Sequence, residues 1–482
     1  MGKERETVVL GGEIEVEFIT VKCNKINRNL LRLDAEHHVG IDKINLKQLQ
    51  GKNLSTLCSK IVQGPNPKFL DDGIPSLNGK NIYLGTLDAG EPNYISEEEY
   101  FSFKAYHLQR NDLLITLKHA SRIGRLWIYR SNKKCLFSRN LGLIRLKNNS
   151  EIYPETLLFY LWGSDPQQLL NLIATGGTNG QITLSMAELR EFPVPFFSKE
   201  FQDKLRDIFN SNEKLVKKSE DIYQEVQNLL LSELGLLNWK PKHRLSFIKN
   251  FSDTQSARRI DAEYFQPRYD EVVERIRQYK NGYKPLGEII GVKDNTFQPK
   301  DDVAYRYIEL ANIAANGNIN GFIEAQGKEL PARARRKVNA GDVIVSTIEG
   351  SLLSIALIRD DLDNALCSTG FFVVNSEKIN SETLLVLLKS LIGQLQLKKG
   401  CSGTILTAIG DDEFKGIILP DLPVGIQNDI KKKIMEMYNA KALSKRLLDI
   451  AKRGVEMAIE KNEKEAQNWI DMELKKLNVR LD

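Results

Sequence analysis

Two basic segments hold the side chains best suited to chemistry in this sequence. The densest basic cluster of the chain contains Arg333, Arg335, Arg336 and Lys337. A basic loop between two predicted strands contains Lys118, Arg122 and Arg125. Lysine and arginine bind nucleic-acid phosphates, and arginine also recognises guanine. Both segments therefore predict contacts with DNA, and the alternative for each is a solvated charged face.

Two polar turns rich in glycine are further candidates for DNA contact. Their hydroxyl and amide side chains belong to Thr178, Asn179, Gln181, Ser402 and Thr404. Asparagine and glutamine match the hydrogen-bonding edge of adenine, and backbone N–H groups bind phosphate. The alternative is that glycine serves only a tight turn.

Signatures of catalysis are missing from the sequence. No G-x-x-x-x-G-K-[ST] phosphate loop occurs, which argues against ATP use. The Asn/Asp-Pro-Pro-aromatic signature of adenine methyltransferases and a Pro-Asp…Glu-x-Lys nuclease pattern are also missing. Adjacent His37 and His38 point in different directions on any regular element, which disfavours a metal pair. We predict no catalytic residue, no metal and no cofactor in this chain.

Composition limits the class of protein. The chain has 482 residues, 41% hydrophobic and 27% charged, with a net charge of +5. Disordered, collagen-like and disulfide-scaffold classes are excluded, and two to four domains are expected. The five cysteines form no C-x-x-C pair, and no apolar run approaches the length of a membrane helix. Together with the lack of a visible signal peptide, this predicts a cytoplasmic protein.

The chain repeats itself with a nearly constant offset. Residues 32–36 recur as 259–263 (259 − 32 = 227), and 111–116 recur as 341–346 (341 − 111 = 230). Asn81-Ile82 matches Asn312-Ile313 at 231, and Pro195 matches Pro420 at 225. Chance would scatter these offsets. We predict two divergent copies of one unit of mixed α/β fold, each with short strands and an internal helix at 154–161 or 381–395.

A long helix is predicted to follow each copy. Apolar residues alternate by three and four, as in a coiled-coil seam. The first seam includes Leu205, Ile208, Leu215, Ile222 and Val226, and the second includes Ile430, Ile434, Met437 and Leu448. Antiparallel packing of the two helices is expected, and packing of each on its own domain is the alternative. A helix of 35 residues (201–235) is about 50 Å long, enough to act as a molecular ruler on one face of a DNA duplex.

The chain resembles the specificity (S) subunit of type I restriction–modification systems over essentially its whole length. The similarity is carried by Arg-Ile-Asp-Ala-Glu-Tyr-Phe-Gln-Pro-Arg-Tyr (259–269), Tyr-Ile-Glu-Leu-Ala-Asn-Ile (307–313), Gly-Asp-Val-Ile-Val-Ser-Thr (341–347), Ser-Thr-Gly-Phe (368–371) and Ser-Gly-Thr-Ile-Leu (402–406). Both proline-then-long-helix junctions also look like that family. The first copy departs more from it, since His37-His38 replace Tyr264-Phe265.

The resemblance implies two target-recognition domains joined by two long antiparallel coiled-coil helices, with a pseudo-twofold internal repeat. The corresponding boundaries are 1–197 and 241–423 for the two domains, 198–240 for the first long helix, and 424–482 for the second long helix and the C-terminal tail. Such a subunit reads a bipartite DNA site and assembles two methyltransferase (M) subunits and motor/nuclease (R) subunits, without catalysis of its own. The resemblance also implies that S-adenosylmethionine, ATP and Mg are used by those partners. Two alternatives stay open: a methyltransferase or nuclease with unrecognised motifs, and a scaffold that binds no DNA.

Overall fold

The structure is a computed structural model that describes residues 5–10, 14–19, 51–83, 86–87, 92–119, 123–176, 182–293, 295–314, 316–403 and 407–481. The chain divides into two compact units. The first unit combines Met1–Leu215 with Ala442–Asp482, and the second is Val216–Lys441. The boundary crosses both long helices, so each unit contains one part of each. The predicted boundaries instead place each long helix in a segment of its own, and they stay a prediction.

The described part of the first unit combines many short strands with six shorter helices besides its part of the long helices. Its strands are Arg5–Leu10, Ile14–Ile19, Lys52–Asn53, Cys58–Gln63, Ile74–Leu77, Ile82–Tyr83, Thr86–Leu87, Asn93–Ile95, Asp112–Thr116, Lys118–His119, Leu126–Tyr129, Leu136–Phe137, Leu141–Leu146, Thr175–Gly176, Ile182–Thr183 and Pro193–Val194. Its shorter helices are Leu54–Leu57, Glu97–Ser102, Pro154–Trp162, Ser164–Ile173, Met186–Arg190 and Glu463–Lys476.

The second unit follows the same plan. Its strands are Tyr283–Pro285, Gly291–Val292, Ala304–Ile308, Ile323–Gln326, Ala334–Lys337, Val343–Ser346, Ile355–Leu357, Leu366–Ser368, Phe371–Asn375, Cys401–Ser402, Ala408–Ile409 and Ile418–Pro420. Its shorter helices are Phe251–Ala257, Pro267–Arg277, Leu286–Ile289, Ser381–Lys389, Leu391–Gly400 and Asp411–Gly416. The mixed α/β class is confirmed.

A four-stranded antiparallel sheet forms the centre of each unit. In the first unit the strand order begins at Leu126–Tyr129 and continues through Asp112–Thr116, Leu141–Leu146 and Cys58–Gln63. In the second unit the corresponding order is Ile355–Leu357, Val343–Ser346, Phe371–Asn375 and Gly291–Val292. Identical strand order in both units agrees with the repeat seen in the sequence.

Both faces of each central sheet are buried. Leu113 and Ile115 pack in one hydrophobic cluster with helix Pro154–Trp162, whereas Leu114 packs in another on the opposite face. Successive side chains of a strand point to opposite faces, so an unbroken apolar run is needed here rather than an alternating one. In the second unit Val343 and Ile344 divide between two clusters in the same way.

Equivalent hydrogen bonds occur within each of the two copies, and their residue numbers differ by the offset of the repeat. Leu117 N donates to Asn140 O at 2.8 Å, and Thr347 N donates to Gly370 O at 2.9 Å. The two donor residues are 230 apart in the chain (347 − 117), and so are the two acceptor residues (370 − 140). The repeat therefore extends from the sequence to the backbone connections of each unit.

The long helices span Lys199–Glu233 (35 residues) and Val424–Glu460 (37 residues). Within the second unit, Lys218 pairs with Glu436 at 2.8 Å and Lys433 with Glu225 at 2.6 Å. Residue numbers rise along one helix as they fall along the other, so these parts run antiparallel. Gly235, with φ of +67°, follows the end of the first helix, where left-handed glycine is a common terminator.

Two predicted helices differ from those observed. The stretch 381–395 is interrupted at Ser390, whose extended backbone separates Ser381–Lys389 from Leu391–Gly400. The stretch 154–161 is followed, after Gly163, by the unanticipated helix Ser164–Ile173. Apolar periodicity is a poor guide here because helix Pro154–Trp162 is buried on almost every side and so lacks a polar stripe.

Candidate nucleic-acid interface

The first unit joins its two predicted contact segments in one small sheet. Strand Lys118–His119 pairs with Ile182–Thr183, which pairs in turn with Thr175–Gly176. Neighbouring strands lie about 4.8 Å apart, so half-buried Lys118 is close to both ends of the glycine-rich turn. Four further candidates lie outside the described residues: Arg122, Thr178, Asn179 and Gln181.

Arg125 closes the basic loop of the first unit. Its backbone N–H donates to Thr116 Oγ1 at 2.9 Å, and its carbonyl accepts from Thr116 N at 2.9 Å. The side chain is half-buried. These bonds fix where the side chain leaves the backbone, at the edge of the central sheet.

The second unit builds its glycine-rich turn in the same way. Strand Cys401–Ser402 pairs with Ala408–Ile409, and Ile348 forms a bridge with Ala408. Ile348 and Ala408 stand where Lys118 and Thr183 stand in the first unit (348 − 118 = 230 and 408 − 183 = 225). Ser402 is exposed, and Thr404 lies outside the described residues.

The basic cluster of the second unit lies on strand Ala334–Lys337. This strand is at the edge of a four-stranded sheet, paired with Leu366–Ser368. Arg333 and Lys337 are exposed, and Arg335 is half-buried. Arg336 Nη1 donates to the Lys293 carbonyl at 3.3 Å. Arg336 therefore contributes to packing, and the other three are better placed to bind an external anion.

Arg259 links the glycine-rich turn of the second unit to an earlier segment of the chain. Arg259 Nη1 donates to the Cys401 carbonyl at 3.0 Å, and its Nε contacts Asp261 at 2.8 Å. The hydrogen bonds from Arg259 lower the pKa of the Asp261 carboxyl, which keeps the pair ionised at neutral pH. Arg259 thus holds the strand that leads into the glycine-rich turn.

The predicted seam residues are packed inside the units. In the first unit Leu205, Ile208 and Leu448 belong to the main cluster, with Leu215 partly buried against it. In the second unit the main cluster contains Ile222, Val226, Ile430, Ile434 and Met437. One polar pair lies in the seam of the first unit, where Ser444 Oγ donates to the buried Asn212 Oδ1. These side chains serve the packing of the chain itself.

The thiols of the described cysteines are buried. Burial raises the pKa of Cys135 and Cys367 to about 12 and that of Cys401 to about 11. A thiol with such a pKa stays protonated at neutral pH and is a poor nucleophile. Among the described residues, no group of three His, Cys, Asp or Glu side chains is placed to hold a metal ion. Cys23, His37 and His38 lie outside them.

In the part of the chain that the structure describes, no helix combines the length and apolarity needed to cross a bilayer.

Two buried glutamines were missed by the sequence reasoning. Gln202 Oε1 accepts from Tyr153 N at 2.7 Å, and Gln427 Oε1 accepts from Asn380 N at 3.3 Å. Each stands in the first turn of a long helix and binds the residue at the start of the internal helix of its unit. Their offset (427 − 202 = 225) equals that of the two prolines, so the repeat itself was the signal that could have found them.

Comparison with known proteins finds a relative in sequence. The type I restriction enzyme EcoBI specificity subunit of Escherichia coli is 27% identical over 174 residues. The resemblance is confirmed. The alignment covers 36% of this chain and 35% of that subunit, so the chain spans about a third of the length of the relative. No model of a known protein family matches.

Solved structures of specificity subunits are similar over more of the chain. The type I restriction–modification S subunit from M. genitalium is 13% identical, covers 85% of this chain and 94% of its own, and has a TM-score of 0.36. The HsdS subunit from Thermoanaerobacter tengcongensis is 11% identical, covers 85% and 96%, and has a TM-score of 0.27.

Proposed function

We propose that this chain is the DNA-binding specificity subunit of a type I restriction–modification complex. Each unit reads one part of a bipartite DNA site, and the two long helices, packed as an antiparallel coiled coil, set the spacing between the parts. The observation that carries the proposal is the duplicated unit: the same sheet order and equivalent backbone bonds recur within one chain that locally resembles a specificity subunit.

Duplication with divergence suits a bipartite target. A protein that reads two different short sequences needs one framework twice, with different side chains at the surface. The loops after the central strands fulfil this, since Lys118 in one unit corresponds to Ile348 in the other. The candidate contacts are Lys118 and Arg125 in the first unit and Arg333, Arg335, Lys337 and Ser402 in the second. The candidates outside the described residues belong to the same proposal.

The chemistry of modification and cleavage belongs to partner chains in this proposal. Two methyltransferase subunits use S-adenosylmethionine, and motor/nuclease subunits use ATP and Mg. The sequence contains no phosphate loop and no adenine-methyltransferase signature, which supports a non-catalytic chain. The proposed place of action is the cytoplasm.

A domain exchange tests the proposal. Residues 1–197 are replaced by the corresponding residues of a related subunit with another target, the complex is assembled with its methyltransferase subunits, and methylated adenines are mapped. We expect one half-site to change and the other to persist. If both half-sites persist, or both change, the assignment of one reader to each unit is wrong.

Binding assays on the isolated chain separate the proposal from its alternatives. We expect duplex binding whose affinity falls steeply with salt, because phosphate contacts release counterions. A scaffold that binds no DNA would give no shift at any salt concentration. Binding of S-adenosylmethionine by the isolated chain would instead favour a methyltransferase.

A further inference from the structure

A short segment of the second unit exposes large apolar side chains to an unusual degree. Leu245, Ile248, Phe251 and Ile260 are 98%, 96%, 75% and 90% exposed. Single exposed apolar residues are common on soluble proteins, whereas groups of them mark interaction surfaces. All four lie within residues 237–260, which we call the basic–apolar arm.

The arm is held in place by hydrogen bonds and ion pairs on both sides of its apolar residues. Arg244 N donates to Gln266 Oε1 at 3.0 Å, and Gln266 Nε2 donates to the Arg244 carbonyl at 2.9 Å. Lys249 Nζ contacts Asp270 at 2.6 Å, and Arg259 binds the Cys401 carbonyl. An anchored segment loses little conformational entropy when a partner binds. The exposed side chains are therefore presented on an ordered backbone.

The arm is also strongly basic. Its cations are Lys240, Lys242, Arg244, Lys249, Arg258 and Arg259, and its single anion is Asp253. The net charge of this segment is 6 − 1 = +5, equal to the net charge of the entire chain. Arg244, Lys249 and Arg259 pair with carboxylates of the chain itself, whereas Lys240, Lys242 and Arg258 are exposed. A partner that buries the apolar residues is therefore expected to bring carboxylates to the rim of the contact near these three cations.

We propose that the basic–apolar arm docks a partner protein whose contact surface is an apolar stripe flanked by Asp and Glu. In a protein interface the apolar residues form the desolvated centre and the charges form the rim. DNA fits less well, because its interfaces are more polar than protein–protein interfaces and give four large aliphatic and aromatic side chains little to bury against. The partner class rests on the proposed function, under which the acidic partner is the methyltransferase subunit.

The arm also differs from a membrane-binding segment. Peripheral membrane segments are usually continuous amphipathic helices with one apolar face. Here the only helix is Phe251–Ala257, seven residues long, and Leu245 and Ile248 precede it on irregular chain. A segment of this geometry fits a shaped protein surface better than a planar lipid surface.

The test measures binding of the full chain to the methyltransferase subunit of its own system by titration calorimetry. The variant carries Leu245→Ser, Ile248→Ser and Phe251→Ser, and we expect at least 100-fold weaker binding with an unchanged melting temperature, since these side chains are exposed. The matched control carries Phe196→Ser and Val424→Ser, whose side chains are 75% and 71% exposed. The control is expected to bind within twofold of the unaltered chain.

Charge reversal gives an independent measurement. The variant Lys240→Glu, Lys242→Glu, Arg258→Glu changes three exposed cations of the arm. We expect about tenfold weaker binding at low salt and a smaller difference at high salt, because exposed charges are screened. Equal loss at all salt concentrations would contradict charge matching with an acidic partner.

Other outcomes overturn the inference and say what the arm does instead. Unchanged subunit binding by the serine variant would exclude the arm as the docking site. Loss of duplex binding with subunit binding retained would assign the arm to DNA, and loss of binding to phosphatidylserine vesicles would assign it to a lipid surface. If the unaltered chain binds duplex DNA but no methyltransferase subunit, this inference fails while DNA reading survives. If it binds the subunit but no DNA, only the proposed function fails.

Discussion

The two units share their frameworks and differ at their surfaces. The same sheet order, the same backbone bond after the central strand and the same buried glutamine recur in both. The loop after the central strand carries Lys118 in the first unit and Ile348 with Glu349 in the second. At the offset of the repeat (334 − 104 = 230), strand Ala334–Lys337 with its three cations corresponds to the short 3₁₀ helix Lys104–Tyr106 of the first unit.

The interiors contain one informative exception. Trp162 Nε1 donates to the Leu126 carbonyl at 3.3 Å in the first unit, and Lys389 Nζ donates to the Leu353 carbonyl at 2.5 Å in the second. These residues stand at matching positions of the internal helices (389 − 162 = 227). An uncharged indole and an amine thus fill the same role, and only the amine titrates. Shared packing therefore fixes the framework, while single substitutions give each unit its own properties.

The largest expected effect comes from the buried glutamines. Gln202→Leu removes three hydrogen bonds, to Tyr153, Glu151 and Phe197, and should lower the free energy of unfolding by about 3 kcal/mol. Gln427→Leu removes fewer side-chain bonds, to Asn380 and Leu422, and should lower it by about 2 kcal/mol. Urea denaturation measures both values.

A matched control for the glutamines is Gln224→Leu on the exposed face of the first long helix. Its effect on the free energy of unfolding should stay within about 0.5 kcal/mol. A loss below this level at Gln202 or Gln427 would show that the shared framework does not depend on these bonds.

The second-largest effect is a pH dependence of the free energy of unfolding that comes from the second unit. Burial, followed by the charge of Lys441, lowers the pKa of Lys389 to about 7, whereas the unfolded chain has the ordinary value near 10.5. Between these values the unfolded state binds more protons, so the free energy of unfolding rises with pH, by about 1 kcal/mol per pH unit. Lys389→Met should remove this slope and stabilise the protein at pH 7.

Denaturant unfolding at a series of pH values measures the slope. Lys432→Met changes an exposed lysine of the second long helix and should leave the slope unaltered. A slope that persists in Lys389→Met would mean that Lys389 is charged in the folded state and that the contrast with Trp162 has no energetic consequence.

The smallest effect concerns the differing surfaces. Lys118→Ala with Arg125→Ala in the first unit, or Arg333→Ala with Arg335→Ala in the second, should weaken duplex binding about tenfold, or about 1.4 kcal/mol, and reduce its salt dependence. Each pair should affect discrimination at one half-site only. Fluorescence anisotropy with duplexes altered in either half-site measures this.

The control for the surface variants is Lys431→Ala with Lys432→Ala, two exposed lysines on the second long helix. This variant should lower affinity less than twofold. Equal loss in all three variants would indicate non-specific attraction and would remove the distinction between the two reading surfaces.

The strands and long helices were predictable because their signals are local. The apolar runs that begin at Leu113 and Val343 are typical of strands, and the three–four spacing predicted long helices that the structure bounds within a few residues. The interruption at Ser390 was not predictable, since the apolar pattern continues across it. Small sheets such as Lys118–His119 with Ile182–Thr183 depend on residues far apart in the chain, and no local pattern reports such pairing.

The amino-acid sequence by itself determined the duplication, the mixed α/β class, the positions of the long helices and the resemblance to specificity subunits, because a repeated apolar pattern is encoded residue by residue. Only the tertiary structure decided which polar residues are buried and which apolar residues are exposed. Gln202 and Lys389 lie inside, whereas Leu245 and Ile248 lie outside. Burial depends on what the rest of the chain brings against a side chain, and hydrophobicity alone does not fix it.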